Sequence, residues 1–163
     1  MSLQDWGALG ELIGGLGIIV SLIYVAVQIR QSTNATRVAT SQTFTDQYMR
    51  AVSPLYEPGF SDVYRRGLSG LNTLEGSDRV MFTAFVATLL RMFESFYIQE
   101  KDGAFDSRLF GNWTATFVDL IAYDGVSEVL EIRKHQYNAE FIEFLYERLA
   151  KAVPHDMYSK VDS

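Results

Sequence analysis

The sequence predicts an all-α protein in which one N-terminal transmembrane helix continues into a small cytoplasmic helical bundle. Three observations lead there. The eighteen residues from Leu12 to Ile29 carry no charge, and as a helix they would reach roughly 27 Å, close to the thickness of a bilayer's hydrocarbon core. Later segments place their apolar residues at helical spacing, and none alternates apolar and polar residues over strand length. Between those segments stand Pro, Gly, Asn and Asp, where helices start and stop.

Composition bounds the rest. The chain has 163 residues; less an anchor of about thirty, that is enough for one small domain. Aromatics make up 13% of it, a supply that can fill a core rather than a disordered tail. Lys and Arg number 14 against 20 Asp and Glu, a net charge of −6. That balance is poor for gripping a phosphate backbone, so nucleic acid is not an expected partner. With no cysteine, disulfides and thiolate metal sites are excluded.

The apolar run reads as an anchor better than as a signal peptide or a buried core helix. A signal peptide wants a basic leader and a small-x-small cleavage site. Here the first ten residues hold only Asp5 and the amino terminus, and no such site follows. Trp6 near one edge and Tyr24 towards the other suit a membrane interface. Against a lipid setting stand the interruptions Gly14, Gly15, Gly17 and Ser21. All the Lys and Arg lie at or after Arg30, with Arg37 and Arg50 close behind. By the positive-inside rule the C-terminal body is cytoplasmic and the short N-terminus outside. The expected division is 1–11 outside, 12–52 a transmembrane helix with a cytoplasmic extension, 53–153 a bundle and 154–163 a tail.

Within the run, Gly10, Gly14, Gly17 and Ser21 are spaced four, three and four apart, and the same stripe continues through Tyr24, Gln28, Gln31 and Ala35. Leu12, Leu16, Ile19, Ile23 and Val27 form the opposite side. Small residues let membrane helices approach closely, and glutamines can hydrogen-bond across such a seam. The stripe reads as an oligomerisation face, or as the ordinary abundance of glycine in membrane helices. Past Arg30 nothing breaks the helix until Ser53-Pro54.

The stretch Leu22-Ile23-Tyr24-Val25-Ala26-Val27-Gln28-Ile29-Arg30-Gln31, with Thr33 and Arg37, resembles the N-terminal signature of a family of short bacterial proteins of unknown function, in which an SLIYLAxQIRQNT-like segment leads into a helical body. Pro58 to Gly67, the Arg91 and Glu94 pair, Gly103 and Trp113 extend the resemblance. It departs where Ile132-Arg133-Lys134 stands in place of an expected tryptophan. The resemblance implies an all-helical, membrane-anchored protein and no activity; the expected location is a bacterial inner membrane, spanned once.

The body divides at its punctuation. Pro58 suits the first turn of a helix with Phe60, Val63, Tyr64 and Leu68 on one face, ended by Gly67 and Gly70. Asn72-Thr73-Leu74-Glu75 has capping-box spacing. Val80 to Ile98 is apolar almost all round, as in the central helix of a bundle. Arg79 and Arg91 leave only eleven uncharged residues between them, too few for a second span. Lys101-Asp102-Gly103 reads as a helix stop and Asp106 as the next N-cap. Phe110, Trp113, Phe117, Leu120 and Ile121 form an apolar face, and Asp124-Gly125 a turn. Val126, Val129, Leu130 and Ile132 follow on one helix. Asn138 starts another, with Phe141, Phe144, Leu145, Arg148, Leu149 and Ala152 in a stripe. Pro154 closes it before a frayed end.

Few constellations could carry chemistry. Arg91 and Glu94 sit three apart on the most apolar helix, where an unpaired charge is costly. They read as a structural ion pair, or as the polar centre of a ligand pocket walled by Phe93, Phe96, Tyr97 and Trp113. Glu131 lies one turn before His135, but a di-metal bundle site needs Glu-x-x-His pairs that are absent, so no metal is expected. No nucleophile elbow, P-loop or dinucleotide fingerprint occurs, and no cofactor is expected.

The leading expectation is therefore a non-enzymatic, membrane-anchored scaffold or accessory subunit. Its partners would be membrane lipid and either a second copy of itself or a member of a larger membrane complex. The alternative is a small-molecule sensor built around Arg91 and Glu94. A pore with Ser21 and Gln28 facing the lumen ranks behind both, because too little polar surface lines the helix.

Overall fold

The computed structural model describes residues 3–153 and residue 155, and among them no strand occurs. Six helices follow in order: α1 Leu3–Val52, α2 Pro58–Leu68, α3 Gly76–Lys101, α4 Ser107–Ile121, α5 Asp124–Arg133 and α6 Ala139–Lys151. Short 3-10 turns at Ser53–Tyr56, Leu71–Thr73 and Lys134–Gln136 join some of them. The expected closure at Pro154 and most of the C-terminal tail lie outside the described residues.

The longest element is α1, 50 residues without a break, or about 75 Å. Hydroxyls of Ser21, Thr33, Thr36, Ser41 and Thr45 donate to the carbonyl one turn back. The many Ser and Thr side chains therefore bond within the helix instead of ending it. The helix stops where Pro54 enters a 3-10 turn.

The centre of the bundle is α3, which packs against α1, α2, α4 and α5. Phe93 lies at the middle of the core, stacked on Phe117 at 4.2 Å and edge-on to Phe141 at 5.5 Å. Phe96 carries the core towards α1, stacking on Phe44 at 4.1 Å. Towards α2, Phe85 meets Phe60 and Tyr64 at 5.0 and 5.5 Å. The apolar character of α3 is not matched by burial all round, since Val80, Met81 and Ile98 are exposed along one edge.

Two helix ends follow their local signals. At the end of α3, Gly103 takes φ +71°, its N–H donates to the Glu100 carbonyl, and the Ala104 N–H donates to that of Gln99. This is the six-residue closure that a left-handed glycine permits. Asp106 and Asn138 cap α4 and α6 by accepting from the Arg108 and Glu140 N–H groups at 2.9 and 2.8 Å.

Three expectations are corrected. Asn72 caps nothing: it lies in a 3-10 turn, and Glu75 precedes α3 without a side-chain cap. Thr73 instead donates to the carbonyls of Arg66 and Gly70, tying the turn back to α2. Asp124-Gly125 is not a turn but the start of α5, with the bend one step earlier at Ala122 and Tyr123. Gly125 is there because α5 crosses α2 so closely that a Cβ on it would overlap the Gly67 carbonyl oxygen. Ile132 leaves its expected face and is 56% exposed, while Val126, Val129 and Leu130 are buried.

Candidate functional site

From Gly14 to Ala39 every residue of α1 is exposed. Ile18, Ile19, Val20, Leu22 and Ile23 cover more than half of the helix circumference, and the stripe of Gly14, Gly17, Ser21, Tyr24 and Gln28 takes up the rest, with no charged side chain on either side. The helix is long and apolar enough to cross a membrane, and none of its apolar window is buried in the chain. By length and composition α3 passes the same test, but 44% of its window lies inside the bundle.

On the small-residue stripe, Gly14, Gly17, Ser21, Tyr24 and Gln28 are all exposed. The surroundings of Gly10 and Leu12 lie outside the described residues. A Cβ on Gly14 or Gly17 would meet nothing in the chain. The Ser21 hydroxyl donates to the Gly17 carbonyl at 2.9 Å, so it needs no outside partner.

The bundle meets α1 first through Arg37, whose Nε donates to the Gly103 carbonyl at 2.8 Å. A cleft of about 560 Å³ opens beside this contact. Its charged lining balances, with Arg37 and Arg108 against Asp46 and Asp106. Asp106 is held down to about 2, first by the side-chain hydrogen bond from Arg108.

Arg91 and Glu94 come together as an ion pair, but unequally: the Glu94 side chain is 8% exposed and that of Arg91 53%. The second oxygen of Glu94 accepts the Asn138 N–H at 2.6 Å. Arg91 donates to the Gln136 carbonyl at 3.1 Å and lies 4.5 Å from the centre of the Tyr137 ring. Burial is the largest influence on the Tyr137 phenol and raises its pKa, while the positive charges of Arg91 and Arg133 oppose that rise. The pair thus fastens α3 to the link between α5 and α6, and its carboxylate faces the N-terminus of α6, where negative charge is favoured. Removing either partner should destabilise the bundle by about 1.5–3 kcal/mol, the usual loss for a hydrogen bond to a charged group. Chemical denaturation of Arg91→Ala and Glu94→Ala checks this, and a neutral Glu94→Ala would contradict it.

The aromatic walls expected around this pair are elsewhere. Phe93 and Phe96 are fully buried in the core. Trp113 packs on Phe44 and Tyr48 of α1 at 4.9 and 4.7 Å, and Tyr97 lies against Phe144 at 4.8 Å. What lies beside Arg91 is a groove of about 600 Å³ with a floor of small side chains, Ala84 and Ala87 of α3 and Ala51 of α1. Arg133 also lines it. Sequence reading passed over Arg133, whose only local signal is a basic side chain in the last turn of a helix. Glu131, the other acid considered, accepts from Lys134 and from the Tyr146 hydroxyl. His135 sits in a 3-10 turn, and the His155 N–H donates to Asp119.

The chain matches no protein-family model, no curated protein and no solved structure.

Proposed function

We propose that the protein is a membrane-anchored helical interaction module, a scaffold or accessory subunit that self-associates through α1 and catalyses nothing. One observation carries the reading: the apolar half of α1 stands clear of the bundle, exposed throughout and without a charged side chain from Leu12 to Ile29. A water-facing helix docked on its own bundle would keep a charged face outward, whereas a long uncharged helix with a broad apolar side that is not docked needs lipid or other helices around it. The charge-free length between Glu11 and Arg30 fits a bilayer core. The cluster of Arg30, Arg37 and Arg50 supports a cytoplasmic bundle and, for a bacterial chain, an inner-membrane location.

Self-association is supported by the open stripe at Gly14, Gly17 and Ser21, where a second helix backbone can approach without displacing any side chain. A non-catalytic role is supported by how the polar side chains of the bundle are used. Glu94 holds α6, Arg66 bridges Asp62 and Asp78, and Glu128 accepts the Leu71 N–H.

High-pH carbonate washing of membranes tests the anchor. The full-length protein should stay in the pellet, and its release as a soluble species would overturn the reading. Gly14→Leu and Gly17→Leu test the seam. Both positions are open in the single chain, so leucine leaves the fold intact and acts only between copies. Each substitution should lower the oligomer mass in mild detergent, and an unchanged mass in both would remove self-association through α1.

A further inference from the structure

The groove beside Arg91 differs from the cleft beside Arg37 in its charge. Two guanidinium groups line it, from Arg91 and Arg133, and no carboxylate does. Arg91 is partly neutralised by Glu94. Arg133 is half-buried, and its side chain makes no hydrogen bond or ion pair among the described residues. In a chain of net charge −6, a half-buried arginine with no acid beside it is conspicuous. Its five N–H donors form a planar fork that matches a carboxylate or phosphate. Ala87 and Ala84 lie one and two turns before Arg91 on α3, and with Met92 they give the groove an apolar wall. The volume lies within the range of small-ligand sites.

We propose that this groove binds a small amphiphilic anion, a short-chain carboxylate or alkyl phosphate. The head group lies on Arg133 and Arg91, and the tail runs along Ala87 and Ala84. The remaining donors of Arg91 stay available, because Glu94 and the Gln136 carbonyl take one each from Nη1 and Nη2. Lipid head groups and free metabolites share this chemistry, and position favours the free form. Gln47 and Ala51, the α1 residues that line the groove, stand well past Ile29, roughly 27–33 Å along the helix axis. That choice of source rests on the membrane-anchor reading; the anion site itself does not.

The test is titration of the full-length protein in mild neutral detergent with hexyl phosphate, followed by ligand-observed NMR, with hexanol as the uncharged control. Hexyl phosphate should saturate one site with a dissociation constant on the order of 1 mM, as its small size allows. Hexanol should not saturate. Arg133→Gln should weaken hexyl phosphate about tenfold or more by removing the charged fork, while tryptophan fluorescence and the thermal midpoint show the fold retained. Ala87→Leu should weaken it too, by filling the tail's path. Absence of saturable binding to the wild-type protein, or equal affinity in Arg133→Gln, would overturn the site. Displacement of hexyl phosphate by phosphatidylglycerol added to the detergent would overturn the choice of a free ligand.

Discussion

Replacing Phe44 with alanine should destabilise the bundle by about 3–5 kcal/mol, the cost of emptying a large aromatic site. Phe44 is 3% exposed and is the first fully buried residue along the described part of α1. Its ring stacks on Phe96 at 4.1 Å and meets Phe105 and Trp113 edge-on at 6.1 and 4.9 Å. Such pairs add about 0.5–1.5 kcal/mol each beyond simple burial. The residue therefore joins two functions of the fold: it completes the core and fixes α1 to it. Trp113 lies against the ring, so its fluorescence reports the loss directly, in a Trp6→Phe background that silences the other tryptophan. A denaturation free energy within about 1 kcal/mol of the parent would mean that α1 is held by other contacts.

Gly125→Ala should cost about 2–4 kcal/mol, against the usual direction of such a change. Inside a helix, glycine to alanine normally stabilises by up to about 1 kcal/mol, because alanine loses less backbone freedom. At Gly125 the added methyl would overlap the Gly67 carbonyl, and relief requires α5 to move away from α2. Gly67 is itself closely packed, since a Cβ on it would overlap the Phe82 ring, so the α2 backbone has little room to yield. Gly111 of α4 serves as the control: a Cβ there meets nothing, so Gly111→Ala should stabilise by the ordinary amount. Chemical denaturation of the two variants should shift in opposite directions. A shift of the same sign in both would refute the close crossing.

Most helix ends could be read from the chain because their causes are local. Pro54 ends α1, Pro58 opens α2, Gly103 closes α3, and Asp106 and Asn138 cap α4 and α6. Each acts through its own dihedral angle or through an oxygen two residues from the group it satisfies. The capping spacing at Asn72 misled, because the next residue, Thr73, donates to the Arg66 carbonyl of α2 and holds Asn72 in a 3-10 turn away from the start of α3. Gly125 misled for a related reason. Asp-Gly is a common turn pair, and only the neighbouring helix shows that this glycine serves a crossing. At the candidate site, the joining of Arg91 to Glu94 was readable from their spacing of three. The partners that complete it, the Asn138 N–H and the Gln136 carbonyl, are more than forty residues away in sequence.

The chain by itself determined that the protein is helical, where most of the helices break, and that one stretch is long and apolar enough to cross a membrane. Those properties follow from dihedral preference, side-chain period and hydropathy, which act over a few residues. Tertiary structure alone decided which aromatic rings meet, that Gly125 admits a helix crossing, and that Arg133 joins Arg91 over a floor of alanines. Those outcomes depend on which faces of distant helices pack together. Side-chain shape and close packing select among arrangements that the apolar pattern leaves equally open.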